Sequence, residues 1–182
     1  MKHKTFNRTS TAQELYVTPH DHKIYGHGHH LRVEITKVLA HANSLGMHSV
    51  ADLSCGNGHI AKSLGFERTI LGDYAPGYRL HGPIEETIEQ IDHVDLFICS
   101  ETIEHLVAPG AVLVQIRPKA TKLVLSTPIE AWKDTNGEHL WAWDREYVES
   151  MAEIAGWTPE VFASLDSRVF GEPYLYGIWV FH

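Results

Sequence analysis

The segment 50–58, Val-Ala-Asp-Leu-Ser-Cys-Gly-Asn-Gly, constrains the fold of this chain more than any other part of the sequence. Its start is a short, mostly apolar run that predicts a buried strand. Gly56 and Gly58 then predict a tight turn, and residues 59–64 predict the start of a helix. In a doubly wound sheet such a turn lies at the carboxyl edge of the first strand, where nucleotide-like ligands bind. Glycine is needed there because a Cβ atom would keep the backbone away from the ligand.

Two acidic residues narrow the kind of ligand. Asp52 lies four positions before Gly56, and a carboxylate at that strand end suits a cationic ligand better than a nicotinamide. The Gly-x-Gly-x-x-Ala spacing that starts at Gly56 also fits dinucleotide-binding folds, so a dehydrogenase is an alternative. Asp73 ends the next apolar run, 21 residues after Asp52. At this distance an acid at the tip of the second strand accepts hydrogen bonds from ribose hydroxyls.

The segment 52–58 resembles the first motif of the class I S-adenosylmethionine (SAM)-dependent methyltransferases, whose usual form is Asp-Leu-Gly-Cys-Gly-x-Gly; Ser54 replaces the first glycine. The resemblance implies an α/β fold: a single Rossmann-like domain with a mostly parallel seven-stranded sheet and an antiparallel last strand. It also implies SAM as the cofactor, with the adenine near Pro83, Ile84 and Glu85. The cofactor-binding residues that follow from it are Asp52, Ser54, Cys55, Gly56, Gly58, Asp73, Tyr74, Ile84 and Ser100.

Length and composition exclude several other classes of protein. The chain has 182 residues, enough for one domain with a sizeable core. Its formal net charge of −8 argues against binding of extended nucleic acid, which needs many Lys and Arg side chains. No apolar stretch approaches the ~20 residues of a membrane helix. The two cysteines do not indicate a disulfide framework, so we expect a cytoplasmic protein.

The remaining pattern predicts alternating helices and strands over residues 31–182. Segment 74–79 is too short for the helix that methyltransferases of this class usually have there, so that helix is missing or reduced to a turn. Residues 1–30 are polar and His-rich, and we expect an irregular flap over the active site. The predicted helices cover residues 31–45, 59–64, 85–91, 111–116 and 145–155. The predicted strands cover residues 50–53, 69–73, 94–100, 122–127, 159–163 and 175–181.

A second group of polar residues follows the fourth strand. The run Glu101-x-x-Glu104-His105, together with His139 ahead of a Trp-containing helix start, resembles the methyltransferases that O-methylate the 3′-terminal ribose of small RNAs. That resemblance implies that Glu101, Glu104, His105 and His139 bind a divalent metal (Mn, Mg, Fe or Co) that also binds the ribose hydroxyls. Two carboxylates and two imidazoles are a plausible ligand set for these metals. The acceptor would then be a terminal ribose or another diol.

The same run also resembles the ubiquinone-pathway O-methyltransferases, for which no metal is implied. The acceptor would then be a small molecule, and the candidate catalytic residues are His105, His139 and Glu104, with an imidazole as general base. The two glutamates would otherwise lie at a solvated helix start, where acids are favoured. An N-methyltransferase and a non-catalytic SAM-binding module are further alternatives. The sequence does not indicate an oligomeric state.

Two further sets of residues have an open role. The tryptophans after the fifth strand either line an aromatic substrate slot or belong to the core; these are Trp132, Trp141 and Trp143. The N-terminal histidines either bind a metal or belong to the flap; these are His20, His22, His27, His29 and His30. Their spacing is not that of a structural zinc site.

Overall fold

The computed structural model describes residues 1–21 and 24–182. The strands in chain order are β1 His3–Thr5, β2 Ser49–Asp52, β3 Arg68–Asp73, β4 Leu80–His81, β5 Val94–Ser100, β6 Ala120–Ile129, β7 Trp141–Trp143, β8 Pro159–Asp166 and β9 Leu175–Phe181. The α-helices are α1 Ala12–Leu15, α2 His27–Ala42, α3 His59–Ser63, α4 Ile84–Thr87, α5 Pro109–Ile116 and α6 Arg145–Ile154. Short 3-10 helices cover Ile88–Gln90, Ile103–His105, Arg117–Lys119 and Ser167–Phe170.

Seven of these strands form one sheet in the order β4-β3-β2-β5-β6-β9-β8. The first five strands in this order are parallel, whereas β9 is antiparallel to both of its neighbours. This confirms the predicted sheet with an antiparallel last strand. Parallel strands place their carboxyl ends at one edge, so the segments that follow β2, β3 and β5 meet there.

Both faces of the sheet are covered, as the alternating side chains of β5 show. Phe97 and Cys99 pack on one face with α5 and α6, whereas Leu96 and Ile98 pack on the other face with α2 and α3. A strand that is buried on both faces reads as a continuous apolar run, which is why the bounds of β5 agree with the prediction. No helix in the part of the chain that the structure describes is long and apolar enough to cross a membrane.

The helix α2 differs from its prediction at both ends. It begins at His27 rather than at residue 31, because the histidines of its first turn do not read as part of an apolar period. The Glu172 carboxylate accepts the backbone N–H groups of Gly28 and His29 at 2.6 and 3.2 Å, which caps this helix start. The helix therefore crosses the boundary that we placed after residue 30. In this helix the apolar side chain of Val38 is exposed, whereas the charged side chain of Arg32 is fully buried.

Two other expectations need correction. Residues 1–30 are not irregular throughout, because β1 pairs with β7 in a separate two-stranded sheet; the predicted flap residue His22 lies outside the described residues. Strand β6 does not end at residue 127, before Pro128, but runs to Ile129. Its parallel partner β5 ends opposite Ser126, so beyond that residue β6 pairs only with β9. Pro128 has no backbone N–H to donate, and this is tolerated where one side of the strand has no hydrogen-bonded neighbour.

The region between β3 and α4 confirms the expected loss of a helix. Residues 74–79 form bends, and β4 is only two residues long. At the other end of the chain, Asp144 caps α6 by accepting the N–H of Tyr147 at 2.9 Å, and Gly156 follows the helix with φ +88°. This confirms the predicted start and end of that helix.

Candidate active site

A cavity of about 620 Å³ opens at the carboxyl edge of the parallel strands. One half is formed by the turn after β2, the end of β3 and the start of α4. The other half is formed by the segment after β5 and the loop before β7. Residues of the N-terminal segment and of the loop between β8 and β9 also line the cavity. The motifs that the sequence analysis selected therefore meet at one site.

The glycine turn is fixed by contacts with β3 and the loop that follows it. Gly56 and Gly58 have φ values of +53° and +75°, which glycine adopts without strain. The N–H of Gly56 donates to Asp73 Oδ2 at 2.8 Å, and the Tyr78 hydroxyl donates to the Gly56 carbonyl at 2.9 Å. Tyr78 was not predicted to take part, since its role depends on a contact 22 residues along the chain.

Asp52 lies under this turn rather than on the cavity wall. Its side chain is buried, and its Oδ1 accepts the N–H of Ser54 at 3.2 Å. Desolvation raises the pKa of Asp52 to about 7. Among the predicted cofactor-binding residues, those that line the cavity are Ser54, Gly56, Asp73, Tyr74, Ile84 and Ser100, and those that do not are Asp52, Cys55 and Gly58.

Asp73 faces the cavity and also holds the surrounding backbone. Its two carboxylate oxygens accept the N–H groups of Gly56 and Ala75 at 2.8 and 2.9 Å. Burial raises its pKa, while the two backbone hydrogen bonds act in the opposite direction. Each carboxylate oxygen has a second lone pair, so Asp73 keeps the capacity to accept ligand hydroxyls.

Three of the four predicted metal ligands lie together in the other half of the cavity. The potential ligand atoms of Glu104, His105 and His139 all lie within 4.8 Å of one another. Glu104 and His105 belong to the 3-10 helix after β5, and His139 belongs to the loop before β7. The N–H of Leu140 donates to the Glu104 carbonyl at 2.7 Å and joins these two segments.

The Glu104 carboxylate is almost completely removed from water, with 1% of its surface exposed. Thr127 Oγ1 donates to its Oε2 at 3.0 Å, whereas Oε1 has no hydrogen-bond partner among the described residues. Desolvation, followed by the charge of Glu101, raises the pKa of Glu104 to about 8. A buried carboxylate without compensation is costly, and a cation would compensate it.

The two imidazoles differ in their surroundings. His105 Nδ1 lies 3.1 Å from the Tyr16 hydroxyl and 3.3 Å from the Glu138 carbonyl oxygen, and its Nε2 lies 3.8 Å from Glu104 Oε1. Burial, together with His139, lowers the pKa of His105 to about 3, so this ring is neutral at neutral pH. His139 Nδ1 lies 2.5 Å from Asp134 Oδ2. Burial opposes ionisation of His139, but the hydrogen bond to Asp134 and the negative charges of Glu104, Asp134 and Glu101 together outweigh it and raise the pKa.

Glu101 stands apart from this group of three. Its Oε1 accepts a hydrogen bond from Ser126 Oγ at 3.1 Å, and its backbone has a φ of +53°. This left-handed conformation is uncommon for a residue with a side chain. Burial raises the pKa of Glu101, while the positive charge of Arg32 acts in the opposite direction.

Arg32 is a site residue that the sequence analysis missed. Its side chain is fully buried and lines the cavity, and its Nη1 donates to the hydroxyls of Ser100 and Ser126. Its Nε has no hydrogen-bond partner among the described residues. A charged residue on the inner face of α2 is the signal that could have identified it, since arginine is almost never fully buried without a partner.

The structure answers part of the question about the tryptophans after the fifth strand and the N-terminal histidines. Trp143 is fully buried and stacks at 6.1 Å on Trp141, so both are packing residues rather than cavity walls. The aromatic rings that do line the cavity are those of Tyr16, Tyr25, Tyr74, Tyr174 and Tyr176. Within residues 1–21 and 24–182, the N-terminal histidines form no cluster of three potential metal ligands.

Comparisons with known proteins identify the fold. No protein-family model matches the chain, and no curated protein matches it. Among solved structures, the 1,6-didemethyltoxoflavin-N1-methyltransferase of Burkholderia thailandensis, with bound S-adenosylhomocysteine (SAH), has a TM-score of 0.65 at 16% identity over 82% of this chain and 77% of its own. The SAH-bound magnesium protoporphyrin IX methyltransferase ChlM from Synechocystis PCC 6803 has a TM-score of 0.65 at 14% identity over 85% of this chain and 83% of its own.

The small RNA methyltransferase HEN1 also aligns, with a TM-score of 0.61 at 20% identity over 84% of this chain and 25% of HEN1. The chain thus spans about a quarter of HEN1 and most of the two smaller enzymes. All three alignments cover more than four-fifths of this chain. This chain therefore has the fold of the class I SAM-dependent methyltransferases.

Proposed function

We propose that this chain is a SAM-dependent methyltransferase that transfers the methyl group to a hydroxyl, with a diol as the preferred acceptor. The observation that carries the proposal is the single cavity that joins the glycine turn to the group of Glu104, His105 and His139. A methyl transfer needs the sulfonium and the acceptor oxygen in line, and one continuous cavity allows this alignment.

The cofactor half has a suitable residue for each part of SAM. The buried side chain of Ile84 offers an apolar surface to the adenine, and Asp73 offers acceptors to the ribose hydroxyls. The guanidinium of Arg32 suits the carboxylate of the methionine part, because no carboxylate of the described residues forms an ion pair with it. Ser54 and Ser100 supply hydroxyls on the same wall.

The group of Glu104, His105 and His139 fits a divalent metal. Glu104 Oε1 is buried without a hydrogen bond, and His105 has its Nδ1 engaged, so its Nε2 faces Glu104. One carboxylate and two imidazoles suit Mn, Fe or Co, and they leave positions for the two oxygens of a diol. A bound metal would lower the pKa of an acceptor hydroxyl. Glu101 does not belong to this group, so it would become a fourth ligand only if its carboxylate moved towards the other three side chains.

The chain's own residues complete the acceptor half. Without a metal, the imidazole of His139 or of His105 can accept the hydroxyl proton, whereas a metal would occupy the lone pair of the buried, neutral His105 ring. The N-terminal segment covers this ring, because Arg8 donates to the His105 carbonyl at 3.2 Å and Tyr16 lies against its Nδ1. This supports the expected role of a flap for residues 1–21, which would keep water from the reacting atoms.

The acceptor is a terminal ribose or a small-molecule diol. The three similar structures are named for a toxoflavin precursor, a magnesium porphyrin and small RNA, so the fold alone does not select among acceptors. The net charge of −8 disfavours a long nucleic acid. The two free, buried cysteines Cys55 and Cys99 are in keeping with the expected cytoplasmic location.

A thermal-shift titration tests the proposal, because a ligand that binds the native state raises the melting temperature in step with its concentration. Wild type, Glu104→Ala and His139→Ala are titrated with SAH alone, and with SAH plus Mn²⁺ or Mg²⁺. We expect an SAH shift in all three proteins and a metal shift in wild type alone. The exposed Glu89→Ala is the matched control and should behave as wild type.

The outcomes separate the alternatives. An SAH shift without any metal shift would support metal-free chemistry with an imidazole, His139 or His105, as the base. SAH binding without turnover of SAM, with ribonucleosides and catechols as acceptors, would point to a non-catalytic SAM-binding module. The absence of an SAH shift would overturn the proposal.

A further inference from the structure

We propose that Asp134 is a positioning residue, which holds His139 with the proton on Nδ1 and the lone pair on Nε2. This inference deepens the proposed function and rests on it, since it assigns a role towards the metal or acceptor that the group of Glu104, His105 and His139 would bind. Asp134 belongs to none of the motifs in the sequence. It acts on the site only through the imidazole of His139.

The geometry around the ring defines the tautomer from both sides. Asp134 Oδ2 lies 2.5 Å from His139 Nδ1, and an ionised carboxylate can only accept, so Nδ1 carries a proton. On the other side, Asn136 Nδ2 lies 3.2 Å from His139 Nε2. Asn136 Oδ1 already accepts the N–H of Glu138 at 3.0 Å, so its amide group turns its donor towards the ring. Nε2 must therefore accept.

The carboxylate of Asp134 is itself held in place. Its side chain is 3% exposed. Its Oδ1 accepts the N–H of Asn136 at 2.9 Å and the hydroxyl of Tyr174 at 3.1 Å. The first bond belongs to the loop before β7, and the second comes from the loop between β8 and β9. Two elements thus fix the carboxylate, which in turn fixes the ring.

This arrangement has a direct chemical consequence. A histidine binds a metal, or accepts a proton, only through a nitrogen that carries a lone pair. A carboxylate on the opposite nitrogen sets the tautomer and increases the basicity of the ligand, and loss of such a partner usually costs about 10- to 100-fold in metal affinity or activity. The link from Tyr174 through Asp134 to His139 gives the last ligand a rigid support.

The variant Asp134→Asn should move the ring proton of His139 from Nδ1 to Nε2, and not only weaken the hydrogen bond to the ring. The amide oxygen should remain where two donors, the Asn136 N–H and the Tyr174 hydroxyl, point at it. The amide NH₂ then faces His139 Nδ1, which has to accept, so the ring proton moves to Nε2. The same exchange in a Ser-His-Asp triad yields the wrong tautomer and a loss of about 10⁴-fold in turnover.

The experiment measures the tautomer by ¹⁵N NMR of histidine-labelled protein at alkaline pH, where the imidazoles are neutral, and measures Mn²⁺ and Co²⁺ affinity by calorimetry. The proteins are wild type, Asp134→Asn, Tyr174→Phe and the control Asp95→Asn. Asp95 caps the start of β2 by accepting the N–H groups of His48 and Ser49, both at 2.9 Å, away from the cavity. Asp95→Asn should therefore reduce stability without changing the tautomer or metal affinity.

We expect wild-type His139 to carry its proton on Nδ1, and Asp134→Asn to carry it on Nε2 with at least about 10-fold weaker metal binding. Tyr174→Phe should keep the wild-type tautomer. A wild-type ring protonated on Nε2, or equal metal affinity of wild type and Asp134→Asn, would overturn the inference. Failure of wild type to bind metal would contradict only the proposed metal site, because the tautomer is read without metal.

Discussion

The buried carboxylate of Glu104 gives the sharpest prediction, because its contribution to the free energy of unfolding depends on pH. Its pKa in the folded protein is about 8, against about 4.3 for a free glutamate. The folded state therefore holds the proton more tightly than the unfolded state. The associated stability is present in full below the unfolded pKa and is lost as the pH rises towards about 8. The loss amounts to about 1.4 kcal/mol per pH unit, and to about 5 kcal/mol in total.

The variant Glu104→Gln removes this dependence, because an amide has no proton to lose and can keep the hydrogen bond with Thr127. Urea unfolding in EDTA should compare the two proteins at about pH 5.5, 6.5 and 7.5. The free energy of unfolding of the variant, relative to wild type, should rise by about 3 kcal/mol over this interval. Because Asp52 and other groups away from Glu104 titrate in both proteins, the difference reports Glu104 together with Glu101 and His139, whose charges act on it.

Two arms complete the experiment. Glu89→Gln, an exposed position, should follow wild type at each pH. Saturating Mn²⁺ at the highest pH should favour wild type over Glu104→Gln, because the cation binds the ionised carboxylate. A stability difference that does not change with pH would refute the reasoning about burial, and an equal Mn²⁺ effect on both proteins would refute the role of Glu104 as a ligand.

Three further predictions concern other parts of the site and the fold. Asp73→Asn should weaken SAH binding at least about tenfold in calorimetry, since an amide cannot accept both backbone N–H groups, including that of Gly56; unchanged affinity would contradict this. Glu101→Asn should raise the free energy of unfolding by about 1 kcal/mol, since asparagine tolerates the left-handed backbone, while it lowers methyl transfer; lower stability in urea titrations would count against it. Asp144→Ala should reduce stability by about 1 kcal/mol through loss of the cap on Tyr147, with SAH affinity unchanged.

The sequence predicted the central sheet well, because its signals are local. Strand β5 was placed without error since it is a continuous apolar run buried on both faces. Helix α6 was recognised from Asp144 and Gly156, which act on their own helix ends. The turn at Gly56 could be assigned because glycine, which has no Cβ atom, is the residue that most readily adopts a left-handed backbone.

The parts that were missed depend on contacts between distant segments. The start of α2 is capped by Glu172, which lies 144 residues away from Gly28 along the chain, so no local pattern marks it. Arg32 was missed for a related reason: its side chain faces the interior in the folded helix, and the local pattern does not show this. Asp134 sits in a polar loop that reads as solvent-exposed, and only the folded chain brings it to His139.

Glu101 illustrates the limit of transferring a motif. The run Glu101-x-x-Glu104-His105 places all of its members in one short segment, yet only the last two converge with His139. The backbone of Glu101 turns to the left-handed region, and its carboxylate meets Ser126 instead. Spacing therefore identified the right segment, whereas the direction of each side chain depends on backbone angles that the sequence does not display.

The most direct test of the account is isothermal titration calorimetry of wild-type protein with SAH, and in parallel with NADH. The glycine turn, Asp73 and Arg32 all line the cavity in which we place the cofactor. The account predicts saturable binding of SAH at a single site and no binding of NADH. Binding of NADH without binding of SAH would contradict the account and would favour a dehydrogenase.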